Sequence, residues 1–76
     1  MRMSYETREE MLAEARELGA THYSLTSDGM VGMFYRYDPQ APHRLEFLSY
    51  CDLWQASALS GYEDRVKPLL DKMVKI

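Results

Sequence analysis

The chain has 76 residues, 46% of them hydrophobic and 28% charged, with a net charge of −3. That length fits one domain, 1–76, and the composition excludes a disordered tail. No run of about 18 apolar residues exists to span a membrane, and the acidic balance argues against nonspecific binding to a phosphate backbone. The opening MRMSYETREE turns acidic at once and has no apolar stretch of a signal peptide, so a cytoplasmic location is expected. A single cysteine, Cys51, excludes an intramolecular disulfide and fits a reducing compartment.

Residues 7–19 read as a helix. Thr7 can cap it with Glu10 three residues on, and Gly19 suits the left-handed position that ends it. On a helical wheel Met11, Leu12, Ala15 and Leu18 fall on one side, while Glu6, Glu10, Glu14 and Glu17 fall on the other. Residues 21–37 read as a β-hairpin turning at Ser27-Asp28-Gly29. A three-residue turn with Gly29 left-handed sets Leu25 opposite Val31. It then gathers Tyr23, Leu25, Val31, Met33, Tyr35 and Tyr37 on one face. The other face would hold His22, Ser24, Thr26, Met30, Gly32, Phe34 and Arg36.

Pro39 and Pro42 stop the second strand in a loop, and residues 44–50 read as a third strand. Asp52 and Gln55 suit the start of a short helix through Leu59, whereas Trp54 suits a strand equally well. Ser60 and Glu63 form a capping box, and Tyr62, Val66, Leu69, Leu70, Met73 and Val74 then keep helical spacing to the end. Pro68 should kink that helix or start its final two turns. The expected fold is α+β: an N-terminal helix, a three-stranded antiparallel β-meander and a C-terminal kinked helix, with both helices on one sheet face.

Few residues suggest catalysis. Cys51 with His22 or His43 lacks any flanking motif of a nucleophile and its base, so a buried or half-buried structural thiol is expected. His22, His43 and Cys51, the last beside Asp52, are spaced by 21 and 8 residues, which matches no tight ligand pair of a zinc site. The four glycines form no phosphate cradle. No enzyme, cofactor or metal is expected.

Two surface features stand out. The stripe of Glu6, Glu10, Glu14 and Glu17 is an ordinary solvent face or a surface offered to a basic partner. Six tyrosines, six methionines and one tryptophan exceed what a core this small can hide, and such residues favour interfaces. The sheet face with Met30, Phe34 and Arg36 is the second candidate contact surface, unless a helix covers it. Phe34-Tyr35-Arg36-Tyr37 also interleaves aromatic and basic groups as RNA-binding sheets do.

Gly19-Ala20-Thr21-His22-Tyr23 at the end of a helix, Phe34-Tyr35-Arg36 in a later strand and a late Trp54 resemble small proteins encoded by phages and prophages. The resemblance covers roughly residues 19–57. It implies an accessory product acting in a bacterial host cytoplasm and no catalytic residue. The expected function is therefore a non-enzymatic interaction module that binds and modulates a host protein, as a homodimer or in a tight host complex. The alternative is a small nucleic-acid-associated protein using strand 34–37 and Arg44.

Overall fold

The computed structural model describes residues 5–59 and 62–76. Helix α1 (Arg8–Leu18) begins where expected, because the Thr7 hydroxyl accepts the Glu10 N–H at 3.1 Å. The reciprocal bond of the box is displaced by one residue: the Glu10 carboxylate takes the N–H of Glu6, at 3.3 Å, rather than that of Thr7. Gly19, at φ 90°, ends the helix. Its N–H donates to Arg16 and that of Ala20 donates to Ala15, which satisfies two of the last free carbonyls.

Five strands follow in an antiparallel sheet: β1 (His22–Leu25), β2 (Val31–Tyr37), β3 (Leu45–Leu48), β4 (Trp54–Ala56) and, after helix α2 (Glu63–Lys72), β5 (Val74–Lys75). Their order across the sheet is β4-β3-β2-β1-β5. The fold class is α+β as expected, with two strands more than the meander of three. Residues 54–56 are strand rather than helix because Trp54 pairs with Leu48 while its indole N–H donates to the Leu18 carbonyl at 3.2 Å. That one side chain ties a sheet edge to the end of α1. Helix α2 runs through Pro68 but stops at Lys72. Met73 is extended, and Val74 pairs with Tyr23 on the outer edge of β1. Two residues are too few to show a period of two. The expected cap at Ser60 lies outside the described residues.

The first hairpin turns as predicted. Thr26 N–H donates to Met30 at 2.8 Å, Leu25 pairs with Val31, and Gly29 sits at φ 84°. Beyond the turn the faces exchange. A bulge makes Ser24 pair with Met33, so Tyr23 lies opposite Phe34 and the intervening Gly32 is the extra residue. A Cβ on Gly32 would stand 3.2 Å from the Ser24 hydroxyl and 3.3 Å from a Thr26 methyl, which is why a glycine fits there. One inserted residue moves Phe34 and Arg36 to the face of Tyr23, and sends Met33, Tyr35 and Tyr37 to the other.

The core then forms on one face only in part. Met11 and Ala15 of α1 pack on Ala20, Tyr23, Phe34 and Leu48, with Leu12, Leu18, Val31, Trp54 and Ile76 around them. Leu45 is also buried but faces the other way with its partner Tyr37. Val66 of α2 is buried outside the α1 cluster and shares a cleft with Tyr37. Helix α2 therefore packs at the Tyr37 end of the second face, so the helices flank the sheet instead of sharing one side, and Met33, Tyr35 and Phe47 stay half-buried there.

Candidate functional site

The turn chemistry decides which side chains reach the surface. An antiparallel meander places the β1–β2 turn and the β3–β4 turn at the same end of the sheet. At that end four large apolar side chains are exposed: Leu25 by 43%, Met30 by 65%, Tyr50 by 92% and Leu53 by 62%. Asp28 and Asp52 lie in the same two turns. Hydrogen bonds from the Thr26 hydroxyl and then from the Met30 N–H hold the Asp28 carboxyl below its ordinary range, so it is an anion at neutral pH. Cys51 is exposed beside Tyr50, contrary to the buried or half-buried thiol expected from its apolar neighbours. Strand β3 ends at Leu48, and the chain is already turning when it reaches the cysteine.

The residues singled out by sequence fall into three separate places. Glu6, just before the Thr7 cap, and Glu17 on α1 are exposed, whereas Glu10 and Glu14 are half-buried, Glu10 being engaged at the helix start. Met30 belongs to the apolar end. Phe34 has no exposed surface and lies beneath α1, so it cannot anchor a partner and the expected open face of Met30, Phe34 and Arg36 does not exist. The bulge at Gly32 is the physical reason. Arg36 donates to Glu46 at 2.8 Å and stacks 4.6 Å above Trp54, a strut across three strands. Tyr50 and Leu53 were missed, although a Ser49–Asp52 turn flanked by apolar residues was the signal for them.

The aromatic and basic groups of strand 34–37 are divided by the sheet. Tyr35 and Tyr37 face α2, Arg36 faces α1, and Arg44 is paired with Glu63. Strand 34–37 therefore does not present its rings and its cation on one face, as a stacking platform for a single strand would. The cleft of about 520 Å³ between α2 and the loop after β2 is lined by Tyr37, Pro39, Gln40, Arg44, Glu63, Val66, Lys67 and Leu70. Its arginine and glutamate neutralise each other. Among the described residues no group of three or more His, Cys, Asp or Glu side chains could hold a metal ion, and no helix is long and apolar enough to cross a membrane.

The Gly-Ala-Thr-His-Tyr segment is a joint between helix and sheet. Gly19 ends α1, while Ala20 and Tyr23 enter the core. The Thr21 hydroxyl accepts the Tyr37 N–H at 2.9 Å and lies 2.8 Å from His22 Nδ1. The His22 ring stands edge-on to Tyr37 with centroids 6.5 Å apart. Each residue of the segment has a structural task. No protein-family model matches the chain, and neither a curated protein nor a solved structure shows significant similarity to it.

Proposed function

We propose that this chain is a non-enzymatic protein-binding module whose contact surface is the end of the sheet built by its two hairpin turns. The observation behind this reading is the exposure of Leu25, Met30, Tyr50 and Leu53 at one end of a molecule that buries Phe34, Leu45 and Leu48 completely or nearly so. Aromatic and methionine side chains in the centre of such a patch are the usual anchors of an interface. The acidic face of α1 adds a surface that speeds encounter with a basic partner. The resemblance of residues 19–57 to phage and prophage accessory proteins supports a bacterial host protein as that partner.

The test is affinity capture from bacterial lysate with the wild-type chain and with a Tyr50→Ala, Leu53→Ser double variant. A partner retained by the first and released at least tenfold faster by the second supports the surface. Because both side chains are exposed, the variant should keep the wild-type urea midpoint, so lost binding cannot be blamed on lost folding. A partner held equally by both proteins would place the contact elsewhere. Sedimentation of the free protein distinguishes self-association through the same residues.

A further inference from the structure

Strand β5 is held to the molecule by little. It contributes two paired residues, Val74 opposite Tyr23 and Lys75 opposite His22, and the Ile76 N–H donates to the Thr21 carbonyl at 2.9 Å. Directly opposite residues of an antiparallel pair project on the same face, so the His22 imidazole and the Lys75 side chain are neighbours. Among the described residues the other groups shown against His22 on its own and the neighbouring strand are uncharged: the Thr21 hydroxyl at Nδ1, Tyr35 opposite it on β2, and the Tyr37 ring. On α2, which packs at the Tyr37 end of this face, Lys67 and Asp71 are exposed and 3.8 Å apart, and Lys72 is exposed.

We propose that His22 and Lys75 form a proton-operated latch, in which protonation of His22 sets two cations on facing positions and releases the C-terminal strand from β1. Like charges directly opposite across a strand pair are destabilising, and β5 has too few other contacts to absorb the repulsion. Release would free Ile76 from the α1 cluster and bare the outer edge of β1, an edge able to pair with another strand. The electrostatics agree in sign. Burial first, and Lys75 second, hold the His22 imidazole below its ordinary pKa of 6.5. The unlatched state therefore binds the proton more readily than the latched one. Latching is complete above pH 6.5 and is lost as pH falls through the lower value of the folded protein.

The experiment is a nuclear magnetic resonance titration from pH 7.5 to about 5, following the His22 Cε1 proton and the Val74 methyl groups. His22→Gln identifies the His22 signal against that of His43. Val74 lies opposite Tyr23, whose ring shifts its methyl resonances while the strand is docked. In the wild type the Val74 signals should move toward random-coil positions with the midpoint of His22. The population of undocked strand at low pH should fall about threefold in Lys75→Gln, and Lys75→Glu should keep the strand docked while raising the His22 midpoint. Val74 signals that stay put while His22 titrates would overturn the latch. So would equal movement in the wild type and Lys75→Gln, or simultaneous movement of the Phe34 and Leu48 signals, which would mark general unfolding instead.

Discussion

The two hairpin turns that share one end of the sheet are built on the same plan and serve different ends. In each, three residues connect a closing pair: Thr26 with Met30 in the first, Ser49 with Leu53 in the second. The closing N–H bonds are 2.8 and 3.0 Å, and the third loop residue donates back at 2.9 Å in one case and 3.0 Å in the other. Both third residues are left-handed. The first is Gly29 at φ 84°, and the second is Asp52 at φ 57°, a conformation costly for any residue with a Cβ. The first turn also employs Asp28, which takes the Met30 N–H, and the turn leads into the bulge that buries Phe34. The second leads from the buried Leu48 and Ser49 to Tyr50, Cys51 and Leu53, all exposed. Both turns display side chains, Leu25 and Met30 at the first and Tyr50 and Leu53 at the second, but only the first also sets the register that buries Phe34.

The largest expected effect breaks that contrast directly. Phe34→Ala should cost about 3–5 kcal/mol, the range for deleting a buried aromatic ring, because Met11, Ala15, Tyr23 and Leu48 surround it. Tyr50→Ala should cost less than about 0.5 kcal/mol, since the ring is almost fully exposed. Urea melts of both variants make the comparison, and a folded Phe34→Ala protein with an unchanged midpoint would contradict the bulged register. A shift for Tyr50→Ala as large as that for Phe34→Ala would assign the second turn to the core.

A smaller effect concerns the first turn alone. Gly29→Ala should cost about 1 kcal/mol or more, because an alanine at φ 84° places its Cβ against the following carbonyl. No neighbouring side chain would clash with the new methyl, so the loss would report backbone strain only. The midpoint of a thermal or urea transition reads it, and a gain in stability would show that the turn relaxes to another form.

How much of this was legible follows from where the information sits. Helix α1 and the first turn were readable because a few adjacent residues determine each: Thr7 with Glu10, Gly19, and Ser27-Asp28-Gly29. The bulge was not, since it depends on Gly32 approaching Ser24 and Thr26 across the strand pair, and on α1 covering Tyr23 and Phe34. An alternation of apolar residues cannot distinguish two registers when both faces carry large apolar side chains, as they do here with Tyr23 and Phe34 on one and Met33, Tyr35 and Tyr37 on the other. Strands β4 and β5 were invisible or ambiguous for a related reason. Their three and two residues are held by distant groups, Leu18 for Trp54 and Thr21 for Ile76. The surface residues suffered from the same error. Phe34 was placed on a face that the bulge reverses, whereas Tyr50 and Leu53 were hidden within segments read as strand and helix.

The smallest effect is expected where the second turn departs from the first. Asp52→Gly would give that turn the residue Gly29 supplies to its neighbour. Relieving the left-handed strain is worth about 1 kcal/mol, but glycine also enlarges the conformational freedom of the unfolded chain, at about 0.5–1 kcal/mol. The two backbone contributions nearly cancel, and together they should give a gain of no more than about 0.5 kcal/mol in a urea melt. If instead stability falls by about 1 kcal/mol or more, contacts of the Asp52 carboxylate, and not backbone geometry, hold the turn together. The glycine variant also separates shape from charge at the proposed contact surface. It removes an anion beside Tyr50 and Leu53 while keeping the left-handed bend, so a basic partner should associate more slowly with it and depart at nearly the same rate. Faster departure would mean that the variant had moved Tyr50 or Leu53, and that the turn's rigidity matters more to binding than its charge.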